Sequence, residues 1–416
     1  MINIEEYWNK YISGDLISIY PETKELFLKK LPKKFLNEYA YDELILETAG
    51  ELENIKDFDK LVEFIQILQN KQPEIFKDIY HYPDCFLIDY YCFHSKHDML
   101  IKPINDFIKA PVNGIDNLIR SFKLLIYYQY TEEADKLTKS TYHIIKESEE
   151  VMPGAELELA YLIFFIDLEN EYKNSLSGKR FNRKKIIKSS QKYDLTLSDD
   201  LLNCFETALT NEKITSELIK ETCKSNLNKM NFLYESFFFI DMYKKGMSFA
   251  VSGFLWSKCY EYWYDVRSKS SKSAASLFKL KKESFTEFLD ENSGDFFIDN
   301  SSEIAMIIWG IQYIYDFLFE NGCIDEKTYR NCTKIILQNK AKFIKDKFND
   351  LWKFSFVHRW LNDTVVISDE FVAEKQFFEK THYLELVLFG TNPLLFHSEA
   401  IKEYLEKMVS LKNYLS

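Results

Sequence analysis

Glycine and proline are scarce in this sequence, with 11 Gly and 8 Pro among 416 residues. Hairpin-rich β folds and doubly wound α/β folds need both residues at their many turns. The patterns G-x-G-x-x-G, G-x-S-x-G and H-E-x-x-H are also absent, which disfavours three large classes of enzyme. The scarcity of turn residues therefore predicts an all-α protein of long helices with short connections.

The sequence also lacks a membrane span, a secretion signal and a disulfide pattern. Its longest apolar stretch, residues 304–319, is interrupted by Gln312 and Asp316 and is too short to cross a membrane. Residues 1–15 have neither the basic nor the apolar region of a secretory signal. The seven cysteines are irregularly spaced without a C-x-x-C pair, which favours free, mostly buried thiols. We expect a cytoplasmic protein, and its Lys, Asn, Ile, Tyr and Phe usage is typical of an AT-rich bacterial genome.

Acidic residues outnumber basic residues, which gives the chain a net charge of −12. A general nucleic-acid binder needs a basic surface for its phosphate contacts, so nucleic acid is an unlikely partner. Hydrophobic residues make up 46% of the chain and aromatic residues 16%, including 35 Phe and 27 Tyr. This composition predicts a large core with an unusually high aromatic content.

Pairs of amphipathic helical segments recur between residues 42 and 146, with a period in the mid-thirties. In the first pair, residues 42–72, a break near residues 55–56 separates two helical patterns. Leu61, Phe64, Ile65 and Leu68 fall on one face of the second helix. A recurrence of this kind predicts a stack of helical hairpins, so we expect Leu61 and Leu68 in the core.

The first hairpin resembles a tetratricopeptide repeat. Ala49 matches the small residue of the repeat's first helix, Phe58 matches the aromatic residue that opens its second helix, and Pro73 stands where the repeat ends. Two positions depart from the pattern, since Leu61 replaces a small residue and Ile45 replaces a tryptophan. The resemblance implies a superhelix with a concave surface that binds another protein.

Two further hairpins follow at residues 83–111 and 118–145, and Tyr130 and Ala134 resemble the second helix of the repeat. A strongly apolar helix begins after Pro153 and Gly154. We therefore assign residues 1–172 to a domain of tetratricopeptide-like repeats.

Eight Lys or Arg residues and no acidic residue occur within residues 173–192, which predicts a linker or loop at 173–197. Residues 198–416 then form a larger C-terminal helical domain. Within it we expect central burial of 230–264, where the chain is apolar almost all round. The other predicted elements are a loop at 267–275, a long helix at 325–352, a short strand at 364–367 and a last helix at 398–411.

The densest group of potential metal ligands lies at residues 81–98. His94 and His97 are three residues apart, and we expect them on one helix face, as metal ligands can be. The pair His97 and Asp98 resembles the dyad of the all-α HD phosphohydrolases, which implies a metal site completed by His81 and Asp167. Surface histidines beside two buried thiols, Cys85 and Cys92, are the alternative interpretation.

Two other features carry functional hypotheses. The basic residues at 179–192 could contact the phosphates of a nucleic acid, or they could form a solvated loop. The aromatic clusters at 237–239 and 260–264 could pack in the core or anchor a partner peptide.

The leading prediction is a non-enzymatic scaffold or adaptor that holds another protein. We assign no catalytic residue, cofactor or metal ligand. The alternatives are a metal-dependent phosphohydrolase around His94, His97 and Asp98, and a regulator that contacts nucleic acid through 179–192.

Overall fold

The computed structural model describes residues 4–14, 16–29, 31, 40–223, 226–266, 277–294, 300–362, 365 and 368–383. The chain divides into two compact units, residues 1–121 with 382–391 (unit 1) and residues 122–381 with 392–416 (unit 2). The predicted loop at 267–275 and last helix at 398–411 lie outside the described residues, and so does almost all of the predicted strand at 364–367.

Helices account for all twenty regular elements within these described ranges, where no strand occurs. The all-α fold class is therefore confirmed. Unit 1 contains α1 (Ile4–Ile12), α2 (Leu16–Leu28), α3 (Tyr41–Asn54), α4 (Phe58–Lys71), α5 (Pro73–Ile79), α6 (His81–Phe93), α7 (His97–Lys109) and the first part of α8 (Ile115–Tyr127).

Unit 1 is built around the predicted first hairpin. Helix α2 packs on both α3 and α4, and α3 also contacts α6, which pairs with α7. The break between α3 and α4 lies at residues 55–57, as the sequence predicts. Leu61 and Leu68 are fully buried, so their placement in the core is confirmed.

Unit 2 contains the rest of α8 and twelve further helices. They are α9 (Thr131–Glu147), α10 (Ala155–Leu176), α11 (Arg183–Lys192), α12 (Asp199–Thr210), α13 (Ser216–Cys223), α14 (Leu227–Lys245), α15 (Phe249–Val266), α16 (Lys282–Asn292), α17 (Ser301–Glu320), α18 (Glu326–Asp346), a 3₁₀ helix (Phe348–His358) and α19 (Asp369–Thr381). Helices α14, α15 and α17 contact one another in the core of the unit. The predicted central burial of α14 and α15 is confirmed, since each contributes eleven buried residues.

Three turns between consecutive helices share one backbone conformation. Their central residues Lys56, Ser95 and Gln129 have φ angles of 60°, 54° and 62°. In each turn the next N–H donates to the carbonyl five residues earlier, as Asp57 does to Leu52 at 2.9 Å. This Schellman arrangement satisfies carbonyls at the helix end, and it usually employs glycine. A chain poor in glycine thus forms these turns with residues that adopt a positive φ at some cost in free energy.

Two predicted elements differ from the structure. The long α-helix predicted at 325–352 ends at Asp346, and the chain continues from Phe348 as a 3₁₀ helix, in which the backbone N–H of Trp352 donates to Thr381 Oγ1 at 2.9 Å. The predicted linker at 173–197 contains α11, which Asn182 caps and the buried Ile186 anchors. The domain boundary that we assign there stays a prediction.

Candidate binding groove

A groove of about 510 Å³ opens in unit 2 between helices α10, α14 and α15. Residues 195–198, which connect α11 to α12, form its fourth side together with Leu201 of α12, and Lys123 of α8 also lines it. The groove exposes mostly apolar and aromatic surface. On α10, Leu157 and Tyr161 are one helical turn apart, and they remain 46% and 47% exposed.

The floor of the groove is closely packed. The indole N–H of Trp256 donates to Oδ1 of Asn231 at 3.1 Å, which links α15 to α14. Beside them, the ring of Phe165 lies where a side chain at Gly253 would be, since a Cβ there would come within 2.5 Å of the ring. The glycine therefore allows α10 and α15 to approach closely enough to close the floor.

An alternating series of charges crosses the edge of the groove. Glu303 lies between two ammonium groups, 2.8 Å from Lys123 Nζ and 3.2 Å from Lys258 Nζ. Lys123 also contacts Glu158 at 3.0 Å, and Lys258 contacts Glu261 at 3.2 Å. Burial alone would raise the pKa of Glu303, but the two lysines outweigh it and hold that pKa below its usual value. Each of these charges therefore already has an opposite partner.

Glu235 differs from these paired charges. It lines the groove one turn beyond Asn231 on α14 and is only 8% exposed. We find no hydrogen bond or ion pair for its carboxyl among the described residues, and burial raises its pKa to about 8. Because an unpaired buried carboxylate is costly, Glu235 is mostly protonated at neutral pH in the free protein.

A second cavity in unit 2, of about 470 Å³, is lined by the acidic residue Asp290, which unlike Glu235 has an ionic partner. That carboxylate is paired, with Oδ1 lying 2.8 Å from Lys342 Nζ. Glu235 has no ion pair among the described residues and Asp290 has one, so the groove that Glu235 lines is the better candidate for a binding site.

The structure does not place His94 and His97 on one helix face, so that expectation is wrong. Helix α6 ends at Phe93 and α7 begins at His97, because Ser95 between them adopts a positive φ. His94 instead lies with its Nε2 atom 3.2 Å from Nε2 of His382. His97 and Asp98 are exposed at the start of α7.

The other residues nominated for a metal site are His81 and Asp167. His81 is buried in unit 1. Asp167 belongs to unit 2, where its carboxylate contacts Lys139 and Ser189. Across the ranges that the structure describes, no three His, Cys, Asp or Glu residues form a group that could hold a metal ion.

Thiol placement agrees with the sequence analysis. Cys85 and Cys92 are buried, as expected, and burial raises the pKa of Cys85 to about 11. That shift disfavours the reactive thiolate.

Acidic partners engage part of the basic segment at 179–192. Lys185 lies 2.6 Å from Glu171, and Arg183 pairs with Asp199. Lys184 and Lys188 are exposed. The segment thus presents a weaker basic surface than its composition indicates.

Comparisons with known proteins add no identification. No protein-family model, curated protein or solved structure matches this chain. The resemblance to tetratricopeptide repeats therefore remains a prediction. Among the described helices, none is both long and apolar enough to cross a membrane.

Sequence reasoning missed the groove because its walls come from distant parts of the chain. Of the aromatic clusters it noted, Phe237, Phe238 and Phe239 are core residues, whereas Tyr260 lines the groove. One local signal was present: Glu235 is the one charged residue in the mostly apolar run 230–240, and glutamate is rarely buried unless it is paired.

Proposed function

We propose that this protein is a non-enzymatic binding module whose groove in unit 2 holds an apolar segment of another protein. The observation that carries the proposal is the pair of exposed side chains Leu157 and Tyr161 above a floor formed by Phe165 and Trp256. Exposed apolar side chains beside a preformed cavity are typical of interaction sites, and tyrosine is a frequent interface anchor.

The internal contacts of the groove support a binding role. Trp256 is held by Asn231, and Lys123 and Lys258 are held by Glu303. A surface fixed in this way loses little conformational entropy when a partner binds. The polar groups of the groove therefore hold its walls in position through these contacts.

The proposal extends to the scaffold or adaptor role and to the tetratricopeptide-like arrangement of the hairpins at 42–172. The contacts between the consecutive helices α3 and α4, and between α6 and α7, support a repeated hairpin unit. Seven free cysteines support a location in the reducing cytoplasm.

The test compares partner capture by three forms of the full chain: wild type, Tyr161→Ala and Tyr82→Ala. Tyr82 is a matched control because it is 41% exposed and lies in unit 1. A specific partner should be retained by wild type and Tyr82→Ala, and its affinity should fall by about tenfold or more in Tyr161→Ala. Purified partner is then titrated at low and high salt.

Two results would contradict this proposal. One is a partner that binds Tyr161→Ala as well as wild type. The other is binding that high salt abolishes and that neutralising Lys184 and Lys188 also removes, since a steep salt dependence indicates contacts with a polyanion.

A further inference from the structure

Glu235 determines the chemistry of the segment that the groove accepts. We propose that the partner inserts a lysine or arginine side chain, flanked by apolar residues, whose charged end reaches the Glu235 carboxyl. This inference rests on the proposed function, because it specifies which kind of segment the groove holds.

The geometry leaves one unmet charge requirement in the groove. Glu235 is 8% exposed and lines the cavity without a partner among the described residues. The other buried carboxyl at this edge, Glu303, is saturated by two lysines. A buried ion is stable only when an opposite charge and hydrogen bonds replace its water, so an incoming cation would complete the site.

The walls suit the rest of such a side chain. Lysine and arginine have apolar stems that pack along hydrophobic surface while the charged end reaches a polar group. Leu157, Tyr161 and Phe232 line the same groove as Glu235 and supply that surface. Three carboxylates but only two ammonium groups take part in the charge series at the edge, so the rim itself is net acidic and favours a basic segment.

Proton release gives a signature of this contact. Burial raises the pKa of Glu235 to about 8, so the carboxyl is mostly protonated at pH 7 and ionises when a cation binds. Other ionisable groups surround it. They are Lys123 on α8, Glu158 and Tyr161 on α10, Asp200 and Cys204 on α12, Lys229 on α14, and Lys258, Tyr260 and Glu261 on α15. Four of the charged groups belong to the edge series, Asp200 pairs with Lys229, and burial raises the pKa of Cys204 to about 12, which keeps that thiol neutral.

The experiment uses a phage-displayed library of random twelve-residue peptides, selected on the full-length wild-type chain. Selected peptides are titrated by calorimetry against wild type, Glu235→Gln, Tyr161→Ala and Glu149→Gln. Glu149 is an exposed acid of unit 2, so its variant controls for the loss of one negative charge. Each peptide is also made with its basic residue replaced by norleucine. Titrations at pH 7 in phosphate and in Tris measure proton release.

We expect the selected peptides to share one Lys or Arg between apolar residues. Glu235→Gln should weaken them by about tenfold or more, because a buried charge pair is lost, whereas Glu149→Gln should change affinity less than about threefold. Binding to wild type should release close to one proton, and the norleucine peptides should release none. Glutamine keeps the shape of the protonated acid, so the variant should retain its fold.

Peptides that Tyr161→Ala weakens but Glu235→Gln does not would overturn this inference and leave the proposed function standing. Selected peptides that lack a basic residue would also overturn this inference and leave the proposed function standing. Peptides that neither variant weakens would overturn both proposals.

Discussion

Replacement of Glu235 by glutamine should stabilise unit 2, and the gain should grow with pH. Burial raises the pKa of this carboxyl from 4.5 to about 8, so between these values the folded state keeps a proton that the unfolded chain releases. The free energy of unfolding of the wild type therefore falls as pH rises, by up to about 1.4 kcal/mol per pH unit. Glutamine does not titrate, and its variant escapes this loss.

The difference between the two proteins should be about 1 kcal/mol at pH 5 and should reach roughly 4 kcal/mol at pH 8. Partial hydration from the groove would reduce this figure, since water that reaches the carboxylate lowers the cost of its charge. Urea unfolding at pH 5, 6, 7 and 8 measures it. Tryptophan fluorescence reports mainly on unit 2, which holds Trp256, Trp263, Trp309, Trp352 and Trp360.

Glu149→Gln serves as the control for the loss of one negative charge, because Glu149 is exposed. Parallel profiles for wild type and Glu235→Gln would refute the reasoning. Such a result would mean that the Glu235 carboxyl is already ionised at neutral pH, as it would be if solvent or an additional group satisfied it.

Three further predictions concern packing and charge. Gly253→Ala should lower the free energy of unfolding by about 1–3 kcal/mol, because its Cβ would meet the Phe165 ring. Gly50 lies in a helix with open space around it, so Gly50→Ala should raise the free energy of unfolding by about 0.5–1 kcal/mol. Changes of the same sign in urea unfolding would contradict this contrast. Glu303→Gln should cost about 1–3 kcal/mol, because Lys123 and Lys258 lose their shared anion and keep only Glu158 and Glu261 as partners; a cost below about 0.5 kcal/mol would show that water already screens the two lysines. Leu68→Ala should cost about 2–5 kcal/mol at a fully buried site, which thermal and urea unfolding would both detect.

Much of the fold could be predicted because it depends on local patterns. The shortage of glycine and proline predicts helices, and the apolar spacing around Leu61 and Leu68 predicts the buried face of α4. These signals lie within one or two helical turns of sequence. The superhelical arrangement of hairpins depends on contacts between helices and stays a prediction.

The failures came from contacts that a local pattern does not contain. The α-helix predicted at 325–352 ends at Asp346 and a 3₁₀ helix follows it, in which Trp352 donates its backbone N–H to Thr381, 29 residues further along the chain. His94 and His97 were placed on one face by their spacing alone, but Ser95 breaks the helix between them. A positive φ at a non-glycine residue has no reliable sequence signature.

The groove was hidden from the sequence for the same reason. Its walls come from α10, α14 and α15, and only folding brings Tyr161, Glu235 and Trp256 to one cavity. The single charged residue in the mostly apolar run 230–240, Glu235, was a local sign of a special position. Its role could be proposed only once the structure showed that other charges nearby were already paired.

Site-specific photocrosslinking in the native host tests the central claim most directly. A photoreactive phenylalanine analogue replaces Tyr161 in one form of the chain and the control residue Tyr82 in another, both of which are partly exposed. The account predicts that position 161 crosslinks to one discrete protein, through a segment with a Lys or Arg between apolar residues, while position 82 does not. If position 161 yields no discrete product, or only the products that position 82 yields, the groove is not a protein-binding site.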